Sequence, residues 1–293
     1  MLGAEVTFDV ALPKVVWGWL VSTNMWAKSI STGAFFIGLY FIKKYPDNDA
    51  FFRKWLPLLG LVFIGITLLV TILDLHHEFR FWKIFLFAHF TSAVTIGAWV
   101  VSGYVLILLA AFWSWVTGNR KIFDRLVIPG FILAFFSTIY TAGILAQSTA
   151  REVWTFPAEM ISMLLSATLA GSAAYLIVGL IYGSLNEKIK KELSYILFGS
   201  AGLLAAMFIG EIVFAKMHSE YAEKVVEIMA FGEVAPWFWG GMFLAFIVPM
   251  VLVGIAAEKK KFEYALLGSL SALVGLWLIK HAWLIAPQSL PLS

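Results

Sequence analysis

Four polar side chains stand inside long apolar runs, where they could bind a polar ligand or move protons. They are Asn24, Lys28, Tyr140 and Glu211. Lys28 follows Asn24 by four residues, so a helix places both on one face, one turn apart. Ionisable groups inside a membrane usually face a polar interior and mark a path for substrates or protons. This set is therefore the first candidate for chemistry.

A second polar set lies in the connections between apolar runs. Asp74, His76, His77 and Arg80 fall within seven residues, and Arg151 lies in a similar connection. Tryptophan and basic residues commonly anchor a protein at the lipid interface. Anchoring alone does not require acids and histidines so close together. We therefore predict that these residues dock a partner protein or transfer protons.

The composition dictates which elements must position these groups. Of 293 residues, 61% are hydrophobic and 13% charged, whereas soluble domains carry about 25% charged residues. About 20 apolar residues form one membrane-spanning helix. The sequence predicts an all-α polytopic membrane protein, a single integral-membrane domain over residues 1–293 whose eight transmembrane helices form two four-helix bundles. The predicted helices are 15–42, 55–75, 88–117, 126–149, 158–184, 193–216, 236–257 and 263–286.

Basic residues are concentrated on one side of these helices. Successive connections lie on opposite sides of the membrane, and those on one side carry thirteen Lys and Arg residues, whereas those on the other side carry six. Because basic connections stay in the cytoplasm, both termini are predicted to lie on the outer side of the inner membrane. Residues 1–13 lack a signal-peptide pattern, so the first helix is expected to insert by itself.

Two of the polar residues inside the apolar runs are predicted to lie at the same depth in the membrane. At about 1.5 Å per residue, Asn24 and Tyr140 each lie roughly 14–15 Å below the outer edge. Lys28 lies one turn deeper. A lysine there costs about 2.5–3.5 kcal/mol on insertion scales, so we expect it to face a polar partner.

Other charged residues of the helices have two interpretations. Glu211, Lys280 and His281 lie near the outer ends of their helices, where each could be an interfacial anchor or a functional group. Glu159, beside Pro157, is interpreted as a carboxylate that the start of a helix stabilises.

Three short motifs predict close helix packing. The first, third and fifth helices each carry small residues one turn apart, ending at Gly33, Gly97 and Gly171. Small residues let two helix backbones approach closely inside a membrane.

The residue types also limit electron transfer by this protein. It has no cysteine to bind an iron–sulfur cluster. Its five histidines lie at or near the outer interface, so paired haem ligands at depth are not expected. If the protein takes part in redox chemistry, its substrate must be lipid-soluble and the electrons must pass to another subunit. We expect no metal site and no nucleic-acid partner.

Five segments occur in order between about residue 15 and about residue 255 and together resemble one family. They are Trp17-Gly18-Trp19-Leu20 leading into Lys28 to Ala34, Leu73 to Trp82, Thr91 to Trp99, Tyr140-Thr141-Ala142-Gly143, and Ala150-Arg151-Glu152-Val153-Trp154. With the eight helices, they resemble the NrfD/PsrC family, which includes the membrane subunit of polysulfide reductase.

The resemblance implies a membrane-anchor subunit of a respiratory oxidoreductase that binds quinone near the outer face. Menaquinone or ubiquinone would be its substrate. Its partners would be an iron–sulfur subunit and, usually, a molybdopterin catalytic subunit. By position, Asn24 and Tyr140 would hold the quinone. The family branch has histidine at Asn24 and another polar residue at Val21, so Lys28 is expected to replace the histidine as proton acceptor, with Glu211 as a relay.

Two other classes of function stay open at this point. A secondary transporter or proton-conducting protein could also use buried Lys28 and Glu211. A retinal pigment could use Lys280 as its Schiff-base lysine. Whether the protein is itself an enzyme is left open, because the resemblance places terminal catalysis in another subunit.

Overall fold

The computed structural model describes residues 15–75, 77–183 and 185–291. Within these residues the chain forms helices joined by turns and loops. Eight stretches are long and apolar enough to cross a membrane. The predicted all-α fold with eight transmembrane helices is confirmed. His76, one of the predicted docking residues, lies outside the described residues.

Each span in the described part except the seventh is built on one long α-helix, and two short helices lie in connections. The elements are α1 (Trp19–Lys44), α2 (Asp49–Leu73), α3 (Lys83–Leu86), α4 (Ala93–Val116), α5 (Arg120–Ala146), α6 (Phe156–Ile181), α7 (Glu187–His218), α8 (Glu220–Phe231), α9 (Ala235–Met242), α10 (Val248–Lys259) and α11 (Glu263–Ile285). The seventh span consists of α9, a π-helical segment (Phe243–Ile247) and α10.

Some helices begin before the apolar runs that predicted them. α2 begins at Asp49 and α5 at Arg120, each about six residues early. Their first turns carry paired charges, since Arg53 contacts Asp49 at 2.6 Å and Asp124 at 2.9 Å. The helices therefore continue past the apolar core because ion pairs stabilise their charged ends.

The two ends of the described chain meet at one end of the bundle. The Gln288 side-chain oxygen accepts hydrogen bonds from the backbone N–H groups of Val16 and Trp17, both at 2.9 Å. Its amide nitrogen donates to the Trp17 carbonyl at 2.9 Å. We call this end of the bundle the terminal face. The opposite end, which carries Lys43, Lys44, Lys188 and Lys259, is the basic face.

α1 occupies a central position and packs against α2, α5, α6 and α11. Its contact with α6 is a backbone contact. A Cβ atom on Gly33 would lie 1.8 Å from the Ala167 carbonyl oxygen, and one on Gly171 would lie 2.3 Å from the Gly33 carbonyl. The small-residue motifs that end at Gly33 and Gly171 thus contact each other. The division into two four-helix bundles stays a prediction.

We expect Gly171→Ala to destabilise the protein, because the added methyl group must displace the α1 backbone. Overpacking of this kind costs about 1–3 kcal/mol. The measurement is the thermal unfolding midpoint of the detergent-solubilised protein, which should fall. Gly199→Ala on α7 is the control, since nothing lies within 4 Å of its new methyl group. Equal midpoints in the two variants would contradict the close contact.

Candidate functional site

Lys28 is held inside the bundle by two neighbouring residues of α5. It follows Trp19, the first residue of α1, by nine positions, and only 3% of its surface is exposed. Its Nζ donates a hydrogen bond to Thr141 Oγ1 and lies 3.9 Å from the ring centroid of Tyr140. A hydrogen bond and a cation–π contact both stabilise an ammonium group away from water. The expected polar partner of Lys28 is thus a pair of α5 side chains.

The Tyr140 ring is positioned by a glycine of α4. A Cβ atom on Gly97 would lie 2.2 Å from Tyr140 Cδ2, so the ring occupies the space that a side chain would take. Tyr140 is half-buried. The small-residue motif that ends at Gly97 therefore makes room for the Tyr140 ring next to Lys28. The motifs that end at Gly33 and Gly171 instead bring two helix backbones together.

Asn24 lies one turn nearer the terminal face than Lys28 and turns toward α2. Its Nδ2 donates to Thr71 Oγ1 at 2.6 Å and, at 3.4 Å, to the Thr67 carbonyl. Among the described residues, none donates a hydrogen bond to its Oδ1, which leaves that oxygen available as an acceptor. The structure joins Lys28, rather than Asn24, directly to Tyr140. Asn24 and Tyr140 are both half-buried.

A gap beside Lys28 is too narrow to admit a water molecule. Its walls come from α1, α5 and α6, and the lining residues are Met25, Lys28, Ser29, Thr32, Thr138 and Met163. The accessible part of the site is therefore the side where Asn24 and Tyr140 are partly exposed. A ligand would meet these two side chains first, with Lys28 behind them.

Arg151 serves a contact within the protein. It is buried, and its Nη1 donates to Tyr221 Oη at 3.2 Å and to the Leu290 carbonyl at 2.8 Å. Tyr221 Oη in turn donates to the Pro287 carbonyl at 3.0 Å. Burial raises the pKa of the Tyr221 phenol, so it keeps its proton and donates at neutral pH. Arg151 thus joins the connection after α5 to α8 and to the C-terminal segment.

The other predicted terminal-face residues are separate from Lys28. His77 and Arg80 are exposed, and Asp74 is half-buried. Glu211 is half-buried on α7, seven residues before its end. In the described part of the chain, no hydrogen bond joins His77, Arg80 or Glu211 to the Lys28 site, and no three His, Asp or Glu side chains are grouped to hold a metal ion. Docking and proton transfer by these residues stay predictions.

The sequence did not reveal that Glu159 and Lys280 are buried together. They are 3% and 4% exposed, on α6 and α11, which pack against each other. Glu159 lies in the first turn of α6, as interpreted, and its Oε1 accepts a hydrogen bond from Trp283 Nε1 at 2.6 Å. Lys280, interpreted as a possible interfacial anchor, is inside the bundle. Each residue lies near a helix end, and only the contact between the helices shows that they share one environment.

Known proteins are similar to this one over nearly its whole length. The family model described as "Polysulphide reductase, NrfD" matches residues 10–291. The protein belongs to the NrfD family. The C subunit of polysulfide reductase from Wolinella succinogenes is 26% identical to it, over 94% of this sequence and 95% of the relative. The NrfD homolog of Haemophilus influenzae and NrfD of Escherichia coli are 23% and 22% identical over the same shares.

These findings confirm the family that the short motifs predicted. The family and the eight apolar helices are also two independent grounds for a multi-pass membrane protein. The match covers α1, which carries Lys28, and α5, which carries Tyr140. The candidate site therefore lies within the part that the family shares.

We expect Arg151→Ala to loosen the C-terminal segment, because Tyr221 and the Leu290 carbonyl lose their donor. Removing a buried charged hydrogen-bond partner costs about 1–3 kcal/mol. The unfolding midpoint should fall, and carboxypeptidase should trim the C terminus faster. Arg80→Ala is the control, since Arg80 is exposed at the same face. A trimming rate equal to that of the control would argue against the contact.

Proposed function

We propose that the protein is the quinone-reactive membrane-anchor subunit of a respiratory oxidoreductase. The observation that carries this proposal is Lys28, buried at membrane depth and held between Thr141 and Tyr140 in a member of the NrfD family. A buried ionisable residue of a membrane protein commonly serves substrate binding or proton transfer. The Wolinella succinogenes relative is named as one subunit of polysulfide reductase, which supports membership of a complex with several subunits.

The quinone ring would enter from the lipid and contact the half-buried side of the site. Tyr140 Oη can donate to one ring oxygen, and Asn24 Oδ1 can accept from a quinol hydroxyl. Lys28, behind the tyrosine ring, would polarise the bound ring and exchange its protons. The family branch has a histidine at Asn24, and an amide cannot replace it as a base. Lys28 is the titratable group that remains nearest to this position.

Electrons would leave or arrive through a partner protein. The sequence has no cysteine to bind an iron–sulfur cluster. An iron–sulfur subunit would therefore dock on the terminal face, usually together with a molybdopterin catalytic subunit. Exposed His77 and Arg80, with neighbouring Asp74 and His76, supply charges for that surface. The basic face would lie on the cytoplasmic side of the inner membrane and the terminal face outside.

We expect Tyr140→Phe and Asn24→Ala to abolish most quinone-dependent turnover, with a loss of about 10²-fold for a proton-transfer or orienting group. Phenylalanine keeps the ring between Gly97 and Lys28 and removes only the hydroxyl group. The measurement is electron transfer between quinol and the partner subunit in the purified complex. Recovery of the complex with the iron–sulfur subunit shows that docking is intact.

Tyr195→Phe is the matched control, because Tyr195 is exposed on α7, away from the α1 and α5 site. It should leave turnover unchanged. Normal turnover in both the Tyr140 and the Asn24 variants would overturn the site. A protein that purifies alone and transports protons or solutes would instead favour the transporter.

A further inference from the structure

Among the described residues, three charged side chains of transmembrane helices are buried in the half of the bundle next to the terminal face, and the proposed function uses only one of them. Lys28, Glu159 and Lys280 are each at least nine-tenths buried, and they belong to α1, α6 and α11. These three helices pack against one another. A buried lysine is costly in a membrane, so Lys280 needs an explanation of its own.

The helices that carry these groups pack in a connected order. α1 packs against α11, and α11 packs against α6. Lys28 lies on α1, Lys280 on α11 and Glu159 on α6. The order therefore leads away from the proposed quinone site across three neighbouring helices.

The depth of each residue along its helix shows that this order runs toward the terminal face. Lys28 lies nine residues inside α1, Lys280 five residues before the end of α11, and Glu159 three residues after the start of α6. At about 1.5 Å per residue, these depths are roughly 14, 8 and 5 Å from the helix ends at the terminal face. Each step thus brings the titratable group nearer to that face.

Glu159 and Lys280 do not form a direct ion pair. Among the described residues, no carboxylate lies within ion-pair distance of Lys280, and none accepts a hydrogen bond from it. The Glu159 carboxylate is instead held by Trp283 Nε1. A purely structural pair of buried charges would be expected in direct contact, since contact offsets the loss of hydration. A Lys280 amine outside ion-pair contact, on the helix next to a carboxylate that Trp283 orients, is better suited to exchange a proton than to hold a fixed ion pair.

We propose that Lys280 and Glu159 relay protons between Lys28 and the terminal face. This inference rests on the proposed function. Oxidation of one quinol releases two electrons and two protons. The electrons pass to the iron–sulfur partner, and Lys28 in its neutral form takes the protons one after the other. Each proton then moves to the Lys280 amine, to the Glu159 carboxylate and outward, which restores neutral Lys28. Quinone reduction uses the same groups in the reverse order.

The test uses two variants that keep polarity but stop proton transfer. Glu159→Gln keeps an oxygen acceptor for Trp283 and cannot titrate. Lys280→Arg keeps a polar nitrogen group at the end of a long side chain, and arginine does not give up its proton. Both are made in the intact complex and assayed for quinol oxidation in proteoliposomes, in water and in deuterium oxide. Binding of a quinone-analogue inhibitor is titrated on the same samples.

We expect both variants to slow turnover by about 10²-fold, to increase the solvent deuterium isotope effect and to bind the inhibitor as tightly as the wild-type complex. Glu159→Asp, which keeps the carboxyl group, should recover part of the rate. Ser269→Ala on α11 is the control, because Ser269 is buried outside the relay. It should match the wild-type complex in all three measurements.

Wild-type rates and isotope effects in both variants would overturn the relay while leaving the quinone site in place. A wild-type complex that fails to bind the inhibitor would overturn the proposed function first, so the two failures are distinguishable. The wild-type complex offers a second measurement that does not depend on folding of the variants. Its redox-induced infrared difference spectrum should contain a carboxylic-acid band, and a spectrum without such a band would also overturn the relay.

Discussion

The backbone contact between α1 and α6 is the constraint on which the buried site depends. Gly33 and Gly171 bring the two helices so close that neither position has room for a methyl group. A helix is stiff over this length, so the contact also fixes the positions of other residues on the same two helices. Lys28 lies five residues before Gly33, and Glu159 twelve residues before Gly171. Both therefore have set positions in the half of the bundle near the terminal face.

Inside that half of the bundle, polar groups are held mainly by neighbours on other helices. Lys28 bonds to α5, Asn24 to α2, and Glu159 to α11. Lipid offers no competing water, so each of these bonds also fixes the relative positions of two helices. The same interactions that stabilise the bundle thus orient the groups that we assign to the quinone and to its protons.

The sequence predicted the helices well because lipid imposes a simple requirement of length and apolar character. It predicted a partner for Lys28 but could not identify Thr141, since sequence spacing carries no information about which faces of two helices meet. Gly97 shows the same limit. Its motif predicted a helix contact, whereas the structure uses the missing side chain to seat Tyr140. Lys280 and Glu159 were assessed separately, and only the packing of α6 on α11 brings them into one environment.

The hydrogen bonds between Gln288 and Trp17 join residues about 270 positions apart. α1 is synthesised before α11, so its first turn gains these partners only after the intervening helices have been made. Arg151 and Tyr221 likewise wait for the carbonyls of Pro287 and Leu290. A polypeptide cut between Ile285 and Gln288 would keep the eight apolar helices of the described residues and lose the closure of the terminal face. Closure of this face is therefore a late folding step, because it needs residues from both sides of all eight spans.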